Sequence, residues 1–349
     1  MRVCTQCRQL VPARAAVCPD DGAAAEDVAT LPEGARIGGY RIVRLLGEGG
    51  MGYVYEAVHE VLRRRTAMKF LRAEYAGEAE VVARFTQEAQ AVNLIDHDNI
   101  VNVYDIGDAV DGSVYFVMEY LDGKDLSDVQ SGRALPVPLL VHIYGQVLRA
   151  LLAAHGKQIV HRDLKPANVF ITQREGNPYY VKVLDFGIAK LRDGTGKAVT
   201  REGAVLGTPS YMSPEQIQGK PVDHRSDIFT LGVMLYRAAT GAAPFRGDSF
   251  GELAGEILGR EPPPLREAAP GAALPASLER LVQKAMRKRA DERYQSVAEM
   301  LLDLDAVRRD AGLADDALAV AVAELAGRPI EDVLPTRPAS PSTRASLAE

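Results

Sequence analysis

The spacing of apolar positions changes near residue 137, and the change predicts two lobes. Before it, stretches 40–46, 53–59, 66–71 and 113–120 carry aromatic and β-branched residues in short, turn-bounded runs typical of strands. One segment differs: over 80–94, Val81, Phe85, Glu88 and Val92 recur at helical spacing. Beyond residue 137 the helical period dominates, at 138–155, 227–240, 278–287 and 296–309. An α+β architecture follows, with a small β-rich lobe ahead of a larger helical one. This pattern is unbroken over 38–310. Residues 1–22 form a separate cysteine-bearing module ending in a turn-like Pro19-Asp20-Asp21-Gly22, and 23–37 (AAAEDVATLPEGARI) reads as a linker. In the remainder, 311–349, a short helix is expected at 315–326, then a disordered Pro/Ser/Thr-rich tail at 335–349.

Composition narrows the function. Of 349 residues, 47% are hydrophobic and 25% charged, as in ordinary globular proteins. No run is expected to reach the roughly 20 apolar residues that cross a bilayer. The N-terminus (MRVCTQC) has no apolar signal segment, which points to the cytoplasm. A net charge of −6 argues against nucleic acid as a partner. Arg63-Arg64-Arg65 is a local exception that reads as a solvated turn between strands.

The chemistry starts at Gly47-Glu48-Gly49-Gly50-Met51-Gly52-Tyr53-Val54, which fits G-x-G-x-x-G-x-V. Alone the motif is weak, because dinucleotide-binding folds share it. A dinucleotide site needs a helix directly after the glycines. Here Tyr53 to Val58 alternates like a strand, so the loop caps a hairpin whose amides can fold over phosphates. Lys69 follows on the next strand (Thr66-Ala67-Met68-Lys69), and Glu88 lies nineteen positions on, on the helix. Then come His161-Arg162-Asp163-Leu164-Lys165-Pro166-Ala167-Asn168, Asp185-Phe186-Gly187 and Ser213-Pro214-Glu215.

In this order the motifs resemble the catalytic domains of bacterial serine/threonine protein kinases of eukaryotic type, over about residues 38–310. The resemblance implies a bilobal kinase fold and transfer of the γ-phosphoryl group of MgATP to Ser/Thr hydroxyls of protein substrates. It implies that Lys69, oriented by Glu88, holds the α- and β-phosphates, and that Asp185 and Asn168 coordinate Mg²⁺ through oxygen. Asp163 would accept the hydrogen bond of the attacking hydroxyl, Lys165 would neutralise the transferred group, and Thr208 would tie the substrate loop to the catalytic aspartate. Gly47, Gly49, Gly50 and Gly52 would cover the phosphates. Val54, Ala67 and Phe170 would sandwich the purine, behind gatekeeper Met118 and beside a hinge at Glu119–Leu121, with Asp125 at the ribose. Asp227 would brace the catalytic loop, and Arg293 would pair with Glu215. A nucleotide-binding scaffold without catalysis would lack the lysine, the catalytic aspartate or the metal aspartate; none is missing.

All three cysteines fall in the first eighteen residues, an odd number with no sign of a disulfide framework. Cys4-x-x-Cys7 and Cys18-Pro19-Asp20-Asp21-Gly22 resemble the two knuckles of a zinc ribbon, with Asp21 at the place of the fourth cysteine. The other reading is a small tail with three reduced thiols. The resemblance implies one structural Zn²⁺, released by Cys7→Ser with kinase activity largely kept, and a module able to recruit a partner protein.

Arg162 before the catalytic aspartate resembles kinases switched on by loop phosphorylation. Similar bacterial kinases often carry Thr-x-Thr in this loop, where this chain has Thr200-Arg201-Glu202. Glu202 is thus either a built-in partial substitute for phosphothreonine, engaging Arg162 and Lys190, or a solvated acidic residue. Thr195 is a weaker candidate for modification than Thr200.

Overall fold

The computed structural model describes residues 1–174, 176–187 and 209–313. Its first large element is a six-stranded antiparallel sheet, ordered β4-β5-β6-β7-β9-β8. The strands are β4 (Arg36–Ile37), β5 (Tyr40–Glu48), β6 (Gly52–His59), β7 (Arg65–Leu71), β8 (Val103–Asp108) and β9 (Val114–Glu119). Between β7 and β8 runs α1 (Ala79–Ile95), which ends where Asp96 turns left-handed at φ 46°. Its buried Phe85 and Ala89 pack with Leu71, Val114 and Phe116 on one face of the sheet. Strand periodicity sends alternate residues to opposite faces, so Met68 and Phe70 join a second buried cluster with Tyr55, Tyr115 and Val117.

The N-terminal residues form their own three-stranded sheet, ordered β2-β1-β3, from β1 (Arg2–Cys4), β2 (Leu10–Val11) and β3 (Ala25–Asp27). Here the linker expectation for 23–37 is corrected. Cys4 pairs with Ala25 across β1 and β3, and Ile37 pairs with Tyr40 across β4 and β5. The small, acidic composition hid a few buried anchors, Ala25, Leu31, Ala35 and Ile37, which tie the segment down.

After the sheet come β10 (Gly123–Asp125), α2 (Leu126–Gln130), α3 (Val137–Gly156), β11 (Val169–Arg174) and β12 (Asn177–Val183). The helical lobe is completed by α4 (Pro214–Gln218), α5 (His224–Thr240), α6 (Phe250–Gly259), α7 (Leu265–Ala268), α8 (Ala276–Ala285) and α9 (Val297–Asp310). Asp223 caps α5 by accepting the Arg225 amide, and Gly241 ends it at φ 72°. One large cluster joins α3, α5, α8 and α9. A second correction belongs to α3, which at 20 residues is long and apolar enough to cross a membrane. Its sequence is apolar on nearly every face because the lobe packs around it, and its buried Gln146 bonds the backbone at Tyr179 and Val181. Length and composition fit a membrane span, but the buried core helix of a globular domain meets the same criteria. The expected helix at 315–326 and the tail at 335–349 lie outside the described residues.

Candidate active site

Lys69 stands opposite Val54 on β6 and Phe116 on β9, and its ammonium reaches inward. It donates to Glu88 Oε1 at 2.9 Å and to Asp185 Oδ1 at 2.8 Å. Burial alone would lower the lysine pKa, but Asp185 and Glu88 outweigh it and hold the ammonium above its ordinary value. Burial pushes the Asp185 carboxyl up, and Lys69 more than reverses this, leaving it below its ordinary value.

Asp185 directly follows Leu184, beyond β12, and is one of the few non-glycine residues at positive φ, 45°. Such backbone persists only where its surroundings over-determine it. The next two residues supply that: Phe186 is buried with its ring 4.6 Å from His161, and the Gly187 amide donates to His161 O at 2.8 Å. A Cβ on Gly187 would sit 2.8 Å from the Asp163 Cβ, so only glycine allows this approach.

The loop around Asp163 is held in the same way. Lys165 Nζ donates to Asp163 Oδ2 at 3.2 Å, and Asn168 Nδ2 donates to Asp163 O at 2.8 Å. Arg162 has φ 64°, also left-handed. Buried Asp227 accepts the amides of His161 and Arg162, each at 2.9 Å, and His155 Nε2 lies 2.8 Å from the same carboxylate. Burial would raise the Asp227 carboxyl; His155, with help from His161, keeps it below its usual range. Glu215 and Arg293 meet in two bonds of 2.8 Å.

Around the cleft, Ala67 pairs with Met118 across β7 and β9, and Asp125 pairs with Phe170 across β10 and β11. Asp125 also caps α2 through the Asp128 amide. Leu121 lies between Glu119 and β10, half-buried. Gly47, Gly49 and Gly50 are exposed, and the Gly49 amide donates to Gly52 O at 2.8 Å to close the turn. Thr208, Thr195, Thr200, Glu202 and Lys190 lie outside the described residues.

Two contributors were not anticipated. Lys182 donates to Glu119 Oε1 at 2.6 Å and to Ile100 O at 3.0 Å, pinning the segment after Met118. A lone charge inside the apolar run 179–184 was its available signal, since a buried charge needs partners. Arg72 donates to Gly49 O at 3.2 Å and to Tyr53 Oη at 3.1 Å, anchoring the glycine turn. Nothing in its sequence context marks it.

A second cluster lies at the N-terminus. The ligand atoms of Cys4, Cys7, Cys18 and Asp21 all fall within 4.8 Å of one another. Cys7 Sγ is 3.6 Å from Cys18 Sγ, and Cys4 Sγ is 3.4 Å from the Asp21 carboxylate. Against the pull of the Gln9 amide, burial, Asp21 and the other sulfurs push the Cys7 thiol up to about 12. Burial would raise Cys4 too, but the amides of Cys7 and Gln6 hold it below its ordinary value.

A two-lobed fold with a lysine between a helix glutamate and a cleft aspartate, facing an Asp-Lys-Asn loop, defines a protein kinase. The profile described as "Protein kinase domain" matches residues 40–303, and the chain belongs to that family. It is 43% identical over 282 residues to "Serine/threonine-protein kinase pkn3" of Myxococcus xanthus, covering 80% of this chain and 51% of that one. It is 39% identical over 326 residues to "Serine/threonine-protein kinase PknB" of Mycolicibacterium smegmatis, covering 88% and 51%. The crystal structure of the Mycobacterium tuberculosis PknI kinase domain aligns at TM-score 0.62 and 29% identity, covering 81% of this chain and all of that one. The chain thus spans about half the length of these curated relatives.

Proposed function

We infer that the chain is an active serine/threonine protein kinase that moves the γ-phosphoryl group of ATP to hydroxyls on proteins in the cytoplasm. The observation that carries this reading is Lys69 Nζ held within 2.9 Å of Glu88 and 2.8 Å of Asp185. That contact supports reading Lys69 as the phosphate-binding cation beside Asp185 as the metal-binding carboxylate, the pairing phosphoryl transfer requires. Asp185 and Asn168 offer the hard oxygens that suit Mg²⁺, which when bound neutralises phosphate charge. Asp163 orients the attacking hydroxyl and receives its proton, while Lys165, already on the Asp163 carboxylate, offsets charge on the transferred group. Val54, Ala67 and Phe170 enclose the base, the backbone at Glu119–Leu121 pairs with it beside Met118, and Asp125 faces the ribose. The test is phosphate incorporation into a generic basic protein, with mass-spectrometric mapping of the sites. Asp163→Asn should lower the rate by about 10²–10⁴-fold. Equal silence of wild type and variant, with nucleotide still bound, would make the chain a scaffold.

Cys4, Cys7, Cys18 and Asp21 suit one tetrahedral Zn²⁺. Zn–S bonds of about 2.3 Å put two sulfurs of a tetrahedron about 3.8 Å apart, close to the 3.6 Å between Cys7 and Cys18. Burial, with Asp21 and the neighbouring sulfurs, raises the Cys7 thiol, and a bound cation would offset this by favouring the thiolate.

Loop phosphorylation at Thr200 is the switch we assign, with Glu202 as a standing partial substitute for a second phosphate. Arg162 Nε supports it, being buried with no hydrogen-bond partner among the described residues. Phosphatase-treated enzyme should keep a basal rate that falls in Glu202→Ala, and Thr200→Ala should lose the rise on autophosphorylation. An unchanged basal rate in Glu202→Ala removes the mimicry.

A further inference from the structure

Both faces of the six-stranded sheet are apolar, the one that meets α1 and the one opposite. Tyr55, Met68, Phe70, Tyr115 and Val117 all lie on the opposite face and are all buried. Tyr55 and Phe70 meet edge-on at 5.7 Å, and Phe70 stacks on Tyr115 at 5.1 Å. Left to solvent, these rings would form an apolar patch of the kind that aggregates. What covers them is the N-terminal segment: Val3, Leu10, Leu31 and Ala35 belong to the same buried cluster. Polar contacts fix the seam. The Leu31 amide donates to the buried Tyr55 Oη at 3.1 Å, and the Arg36 amide donates to Arg8 O at 2.9 Å. Arg8 sits next to Cys7 with φ 62°, so one knuckle of the cysteine cluster is bonded directly to β4. From there the ladder runs through β5 to β6 and the glycine turn.

We propose that residues 1–37 are a structural layer of the nucleotide-binding lobe rather than a recruiting appendage, and that metal held by Cys4, Cys7, Cys18 and Asp21 is linked to the folding of the sheet carrying Lys69. The metal half rests on the zinc reading above; the covering layer does not. Below about 40 residues a fold rarely buries enough surface without a metal, a disulfide or a partner, and the strands of this sheet are only two or three residues long. Metal binding therefore supplies its folding energy, and a ligand that binds only the folded state stabilises whatever folds with it. The expectation that kinase activity outlasts loss of the metal reverses: the glycine loop and Lys69 sit on the sheet whose cover the metal holds in place.

Hydrogen exchange on the full chain, purified without chelators, tests both halves alongside metal analysis. About one zinc per chain is expected. Stripping the zinc, or Cys7→Ser, should speed exchange in β6 and β7 by about tenfold or more, leaving α5 and α8 unchanged. Leu10→Asp, which spares every ligand, should speed exchange in the same two strands. If that variant is insoluble, Leu10→Ala should give a smaller acceleration there. No zinc in the purified chain ends the metal half, and the leucine variants alone then judge the layer. Zinc present but β6 and β7 unmoved on its removal overturns the linkage. Protection unmoved in both leucine variants overturns the layer.

Discussion

The Arg293 side chain has no exposure to solvent, so its guanidinium must find all its partners inside the protein. It bonds both Glu215 oxygens at 2.8 Å, and the carbonyls of Arg287, Arg225 and Lys288 at 2.7, 2.9 and 3.0 Å. Burial alone would raise the Glu215 carboxyl, but Arg293 and Ser226 hold it below its usual value. The stability this adds is present above the unfolded carboxyl pKa of about 4.3 and lost as pH falls through the lower folded value. Arg293→Met should cost about 3–5 kcal/mol near neutral pH, because it leaves a buried carboxylate without its cation. With the cation gone the carboxyl protonates more readily, so the deficit in urea unfolding should shrink toward acid pH. A deficit constant with pH would assign the cost to lost packing instead. The pairing itself was legible in the sequence, but the three carbonyls that complete it were not, since backbone partners leave no trace in residue type.

Among the elements, the β5–β6 hairpin separates two uses of glycine within one motif. At Gly47 and Gly50 an added Cβ would meet nothing within 4 Å, whereas at Gly52 it would run into the Phe70 carbonyl oxygen across the β6–β7 ladder. Gly52 is therefore needed by the sheet, and Gly47 and Gly50 leave room above the turn for a ligand. Gly52→Ala should cost about 1–3 kcal/mol through forced backbone shifts and lower Tm. Gly47→Ala should leave Tm unchanged while weakening ATP binding, read by calorimetric titration. Equal Tm values for both variants would contradict this division. The motif spacing identified the loop, yet it treats its three glycines, Gly47, Gly49 and Gly52, alike and is silent on Gly50. Only strand register distinguishes them.

Across the whole molecule, a few charged residues join segments that lie far apart along the chain. Lys69 and Asp185 are 116 positions apart, and Asp227 reaches the amide of His161 from 66 positions away. Lys182 links β12 to Glu119 at the end of β9 across 63 positions. Each contact pins a loop whose backbone is strained or whose side chains must not drift, including the left-handed Arg162 and Asp185. The N-terminal layer adds a third set of contacts on the far face of the sheet.

What the sequence determined by itself is the part written in local pattern and in motif. The period of apolar positions placed β5, β6, β7, β9, α1, α3, α5, α8 and α9 to within a few residues. The motif order named Lys69, Glu88, Asp163, Asn168 and Asp185 before any contact was known, because phosphoryl transfer tolerates few substitutes at those points. Tertiary structure decided the rest. The strands in 23–37 form because distant surfaces bury Leu31 and Ile37, a condition that local composition does not record. The apolar length of α3 fits a membrane span and a core helix equally well, and only the packing of α5 and α9 against it identifies the core. Likewise, alternation in β6 and β7 shows two apolar faces, but what covers the second face is set by chain-distant burial, which is non-directional and leaves no motif.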